Sequence, residues 1–188
     1  MRLSKPRVAP LRESEWDEDQ RKVLTPYKER GQLYNIYNTL GHNPQALEAF
    51  VAWGGYVLRR SSLPAREREI VILRVGWLCK AGYEWAQHRR LGQQAGLTDE
   101  EITRVKNTAI VKEWSEQDRA LLMATDELHR DYFISDNTWN ALHVFFNEKQ
   151  CMDLVFTVGN YTQVCMMLNT FGVQLDEGLE GDAELERL

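Results

Sequence analysis

A chain of 188 residues, 43% apolar and 27% charged, is long enough to bury one core and points to a single domain. Its formal net charge of −5, with no Lys/Arg run beyond pairs such as Arg59-Arg60 and Arg89-Arg90, argues against a nucleic-acid groove or an anionic membrane as partner. A small-molecule substrate and protein partners fit better. Met1 to Pro10 has the positive charge of a signal peptide without the apolar segment that must follow. No stretch is apolar for long enough to cross a bilayer, so a soluble, cytoplasmic protein is expected.

The predicted elements are helical throughout, since short alternating runs are outweighed by segments of 3.6-residue period bounded by helix punctuation. Residues 1–15 read as an extended arm containing Pro6 and Pro10, followed by a helix from near Glu15 that breaks around Thr25-Pro26. A short segment around Leu33 to Leu40 leads to Asn43-Pro44, an N-cap and first helical residue, opening a helix to about Arg60. From about Pro64 to Lys80 the chain is apolar on nearly every side after Glu69, which predicts a central buried helix ending at Ala81-Gly82. The next helix, Tyr83 to about Ala95, stops at Gly96, and Thr98 to Glu101 is a capping box opening a short helix to about Asn107. Helices over Ser115–Asp131, Ser135–Asn147 and Lys149–Phe171 follow, and the acidic segment 176–188 reads as a solvated tail. The expected fold is all-α, a bundle of about seven to eight helices. Its core is 44–107, and 108–175 supplies the C-terminal helices.

Glu84 and His88 are four apart on one predicted helix, so they share a face, and Tyr83, Trp85 and Ala86 make that surrounding apolar. Glu69 opens the buried helix, where it can pair with Arg66 or, if the chain reverses at Ala81-Gly82, reach an imidazole returning on the second helix. Buried ionisable groups cost several kcal/mol unless hydrogen-bonded or shifted in pKa, and such shifts are what acid–base chemistry uses. Asp126 and His129 are three apart on a later helix but lack the repeated Glu-x-x-His element of a dimetal bundle, so a helix-surface pair is expected. Cys79, Cys151 and Cys165 are odd in number and widely spaced within helices, which predicts reduced thiols. Neither a Cys-x-x-Cys nor a Cys/His zinc spacing occurs, and no metal or cofactor is expected.

With Glu69, Arg74-Val75, the small-residue turn and His88, the segment 44–107 resembles the carboxymuconolactone decarboxylase family, which includes the AhpD-like alkylhydroperoxidases. The likeness extends more loosely to Ala124–His129 and Ile134–Trp139. The resemblance implies an all-helical, AhpD-like bundle and a homo-oligomer. In the peroxidase branch a Glu is followed by a Cys-x-x-Cys and a His. Here Glu69 and His88 match, but Ala81 and Glu84 occupy the cysteine positions. The decarboxylase branch often carries Glu-x-x-x-His, which Glu84 and His88 match.

That branch implies cofactor-independent decarboxylation or proton transfer on a small carboxylated lactone or oxo-acid. His88 is then the acid/base, Glu69 orients it and raises its pKa, and Glu84 completes the proton network. Tyr83 and Trp85 are expected to wall the substrate, and Arg74 to bind its anion. Two alternatives stand beside this: a thiol peroxidase using Cys79, and a non-catalytic oligomer assembled through exposed Trp139, Phe145 and Phe146.

Overall fold

A computed structural model describes residues 3–107 and 112–187, and in it every residue from Glu69 to Gly76 is buried. Helix α4 (Ala65–Leu78) therefore runs through the middle of the protein, as its all-round apolar sequence requires. Its neighbours are α5 (Gly82–Gln94), α7 (Glu116–Asp131) and α9 (Glu148–Phe171). Val71, Ile72 and Val75 face the larger apolar cluster, built with α1 (Glu18–Glu29), α3 (Pro44–Arg59) and α9. Ile70 and Leu73 face a smaller one with Trp85, Leu97, Ile102 and Leu122. A helix wetted on no side can hold an ionisable side chain only where a neighbour supplies its partner.

The chain is all-α among the described residues. The expected helices are present, joined by short α2 (Asn35–Leu40) and α10 (Ala183–Glu186). Two expected caps are in place: Asn43 accepts from the Ala46 N–H at 3.1 Å, and Thr98 and Glu101 cap α6 (Asp99–Arg104) reciprocally. Other boundaries differ. Helix α1 starts after Asp17 and runs through Pro26, because Pro26 and Lys22, whose carbonyl loses its donor, both lie on the solvent side. Helix α8 (Asp136–His143) stops short of Asn147, whose side chain instead caps α9. The expected C-terminal span begins in residues 108–111, which with residues 1, 2 and 188 lie outside those described.

The acidic tail packs rather than dangling. Leu185 is buried in the smaller cluster, and Lys106 draws Asp182 and Glu184 to 2.7 Å. Phe146, expected at the surface, is buried, whereas Phe145 remains exposed. Among the described residues no helix is long and apolar enough to cross a membrane.

The reversal between α4 and α5 decides what the two helices can share. Lys80 takes the left-handed conformation (φ 54°), so its N–H bonds the Trp77 carbonyl and that of Ala81 the Gly76 carbonyl. A lysine there costs about 1 kcal/mol relative to glycine, which the surrounding packing overrides. On the other flank, Arg74 grips Asp126 of α7 through two hydrogen bonds (2.6 and 2.9 Å) and donates to the carbonyls of Val105 and Asn107. Arg74 is thus a buried clamp between helices, and Asp126, expected at the surface, is its counter-ion. Replacing Arg74 by Met should lower the unfolding free energy by about 3 kcal/mol, read from urea titrations, because it strands Asp126 and two carbonyls.

Candidate active site

The α4–α5 hairpin brings Glu69 and His88 together, 19 residues apart in sequence. The imidazole Nδ1–H donates to Glu69 Oε2 at 2.6 Å, and both groups are buried. Four residues before His88 on its own helix, Glu84 places Oε1 3.0 Å from Nε2. That approach lies out of line with the ring N–H, leaving Oε1 in charge contact but without an aligned donor. Tyr161 of α9 meets the imidazole edge-on, ring centroids 5.0 Å apart. Arg66, an expected partner of Glu69, turns away to Asp118 and Glu101, and Arg68 stands 3.5 Å from the other oxygen of Glu69.

Burial by itself would drive the His88 pKa down, since an uncharged ring is easier to desolvate. The charges of Glu69 and Glu84, with the hydrogen bond to Glu69, outweigh this and raise it to about 10. His88 is therefore an imidazolium at neutral pH, a proton donor rather than a resting base. Tyr161 is held protonated well above the usual phenol range, by burial first and by the two carboxylates second.

Glu84, His88 and Tyr161 line a cavity of about 260 Å³, below the size range of pockets for drug-sized ligands. Tyr83 and Gln87 stand on its α5 wall, where both donate to Asp176 Oδ2 (2.5 and 2.7 Å). Asp176 also accepts from the Asn35 N–H at 2.7 Å, so the start of the acidic segment tethers this wall to α2. The opposite wall carries Tyr27, Tyr37 and Phe50, with Arg59 and Arg90 also among the lining residues. Tyr27 and Tyr37 stack at 4.2 Å, and burial pushes the Tyr37 phenol up to about 12.

The predicted site residues divide cleanly. Glu84, His88 and Tyr83 line the cavity, while Glu69 supports His88 from behind. Trp85 and Arg74 do not line it. Trp85 projects from another side of α5 and packs against Trp77 at 5.5 Å, and Arg74 is committed to α7. Sequence reasoning missed Asn160 and Tyr161 on α9 and the α3 face Phe50, Gly54, Gly55, Leu58 and Arg59. A usable signal existed there: two adjacent glycines inside a helix lower its stability and mark a close approach.

The thiols also pair in a way their spacing concealed. Cys165 of α9 hydrogen-bonds to Cys79 at the end of α4, and that contact, followed by burial, raises the Cys165 pKa well above its ordinary value. Cys79 Sγ lies 3.9 Å from His129 Nδ1.

Residues 44–127 match the carboxymuconolactone decarboxylase family. No curated protein matches the chain. Among solved structures, a peroxidase-related protein with an alkylhydroperoxidase AhpD core from Ralstonia eutropha JMP134 superposes with a TM-score of 0.78 at 18% identity, covering 92% of this chain and 93% of that one. A peroxidase-related protein from Silicibacter sp. TM1040 gives 0.70 at 19% identity, covering 97% and 92%. The debrominase Bmp8, bound to 2,3,4-tribromopyrrole, gives 0.74 at 13% identity, covering 93% and 94%. Identities this low speak for the fold.

Because its ordinary value is about 6.5, an imidazolium stabilised to about 10 contributes stability that is complete below pH ~6.5 and lost as pH rises towards 10. Urea midpoints measured from pH 6 to 10 should fall across that window, and His88→Gln should flatten the fall. NMR titration of the ring in the wild type should place its midpoint near the top of the window, and Glu69→Gln should bring it down.

Proposed function

Because residues 44–127 match the carboxymuconolactone decarboxylase family and the fold is that of AhpD-like proteins, we propose that the chain is a cofactor-independent enzyme that decarboxylates, or shifts a proton within, a small carboxylated lactone or oxo-acid. The observation that carries this reading is the buried His88 imidazolium, held by Glu69 and opening beside Glu84 into a small aromatic cavity. A β-oxo or vinylogous carboxylate supplies its own electron sink. The C–CO₂ bond breaks heterolytically, its electron pair enters the conjugated carbonyl, and the resulting dienolate takes a proton at carbon.

His88 Nε2–H, beside Glu84 where both residues line the cavity, is the proton source. Glu69 keeps the ring oriented through Nδ1 and holds it cationic until the dienolate forms. Glu84, with an oxygen lacking an aligned donor, returns a proton from water to Nε2 after carbon dioxide leaves. One proton is consumed and one molecule of carbon dioxide released per turnover. Without substrate decarboxylation, the same groups exchange a carbon-bound proton.

A second reading, thiol peroxidase chemistry, draws on the meeting of Cys79, Cys165 and His129. Ala81 and Glu84 stand where that chemistry has its Cys-x-x-Cys pair, so a peroxidase using Cys79 ranks below the first reading. Peroxide consumption that is unchanged in Cys79→Ser retires it.

A positioned general acid is worth about 10²–10⁴-fold, so His88→Gln should lower kcat by that factor on a carboxylated unsaturated lactone that the wild type converts. Carbon dioxide release and deuterium incorporation from D₂O are the readouts, with circular dichroism confirming the fold. Near-full turnover by a folded His88→Gln variant sinks the acid–base assignment.

A further inference from the structure

The proposed chemistry uses the α5 wall of the cavity and leaves the facing wall, from α3 and α9, unexplained. Asn160 lies there, 1% exposed, and its Nδ2 has no hydrogen-bond partner. A buried amide left without an acceptor costs the free protein stability, and inside an apolar helix a leucine would pack without that cost. A Cβ on Gly54 would meet Asn160 Oδ1 at an ordinary van der Waals distance of 3.7 Å, so α3 lies directly against the amide.

The second feature is the seat of Arg59. A Cβ on Gly55 would stand 2.3 Å from a terminal nitrogen of Arg59, so the guanidinium lies directly against the helix where a side chain is missing. Among the described residues no carboxylate engages it, although it lines the cavity. With Arg68 on the other oxygen of Glu69, the charges around the imidazolium balance and leave none to meet an anionic ligand, which then needs a cation at the wall. Arg90 is already tied to Gln87 and Tyr34 (3.3 and 3.4 Å), which leaves Arg59 as the uncommitted cation.

Resting on the acid–base reading above, we infer that Asn160 and Arg59 are the recognition residues of this cavity. Asn160 Nδ2–H donates to the ligand's ring or keto carbonyl, and Arg59, seated on Gly55, holds an anionic group that the ligand keeps through the reaction. A guanidinium on the departing carboxylate would stabilise the ground state and slow its loss, so the departing group belongs against the apolar wall. The hydrogen bond from Asn160 strengthens as negative charge gathers on the carbonyl oxygen, which makes it a differential, transition-state contact.

Equilibrium binding of a saturated lactone that bears one carboxylate at the retained position and none at the departing one, and of its methyl ester, separates this from the acid–base reading. Arg59→Gln should weaken the carboxylate about tenfold or more and leave the ester unchanged, the loss shrinking in high salt. Gly55→Ala should weaken the carboxylate alike but add nothing in an Arg59→Gln background. Asn160→Leu should weaken both probes about tenfold while raising the thermal midpoint of the free protein. Binding indifferent to Arg59→Gln, additive effects of the Gly55 and Arg59 changes, or no saturable binding by the wild type each overturn the inference. Binding that depends on Arg59 and Asn160 alongside turnover that survives His88→Gln would uphold it and reject the acid–base reading.

Discussion

The 2.6 Å hydrogen bond from His88 to Glu69 is the constraint on which the rest of this structure turns. It joins the buried helix to the one that returns beside it, where both side chains are buried. Two carboxylates and an imidazole can be held there only if they answer one another, and the raised pKa of His88 is the measure of that answer. The arrangement fixes the orientation of the ring through Nδ1 and sets Nε2 beside Glu84, which lines the cavity.

The neighbouring packing keeps that geometry in place. Arg74 fastens α4 to α7, and Asp176 ties Tyr83 and Gln87 to the start of α2, so each side of the hairpin has its own polar anchor. Trp85 and Ile70 fill the cluster on the far side, which spares the cavity side of α5 for chemistry. Arg74 and Glu84, both expected at the site, thereby receive opposite places: one closes the core, and the other lines the cavity.

The cavity has two unlike walls. Helix α5 carries the proton-bearing groups, whereas α3 and α9 contribute a buried amide, a glycine pair and an uncommitted cation. Both glycines and Asn160 lower the intrinsic stability of their helices or core, and costs of that kind are expected where a backbone must lie close to a ligand. In the proposed reading, that division separates recognition from proton transfer on different elements of the fold.

Local sequence by itself determined much of this protein. The all-round apolarity after Glu69 specified a buried helix, the Thr98–Glu101 and Asn43-Pro44 patterns specified helix starts, and Glu84 and His88 lay on one face by helical period alone. These are near-neighbour effects, legible within a few residues. Tertiary structure alone decided the rest: that Arg66 serves Asp118 instead of Glu69, that the tail buries Leu185, that Trp85 turns away from the cavity, and that Asn160 and Arg59 reach it. Those outcomes depend on which helices pack together and at what rotation, and a partner 52 residues away, as Asp118 is from Arg66, leaves no mark in a local pattern.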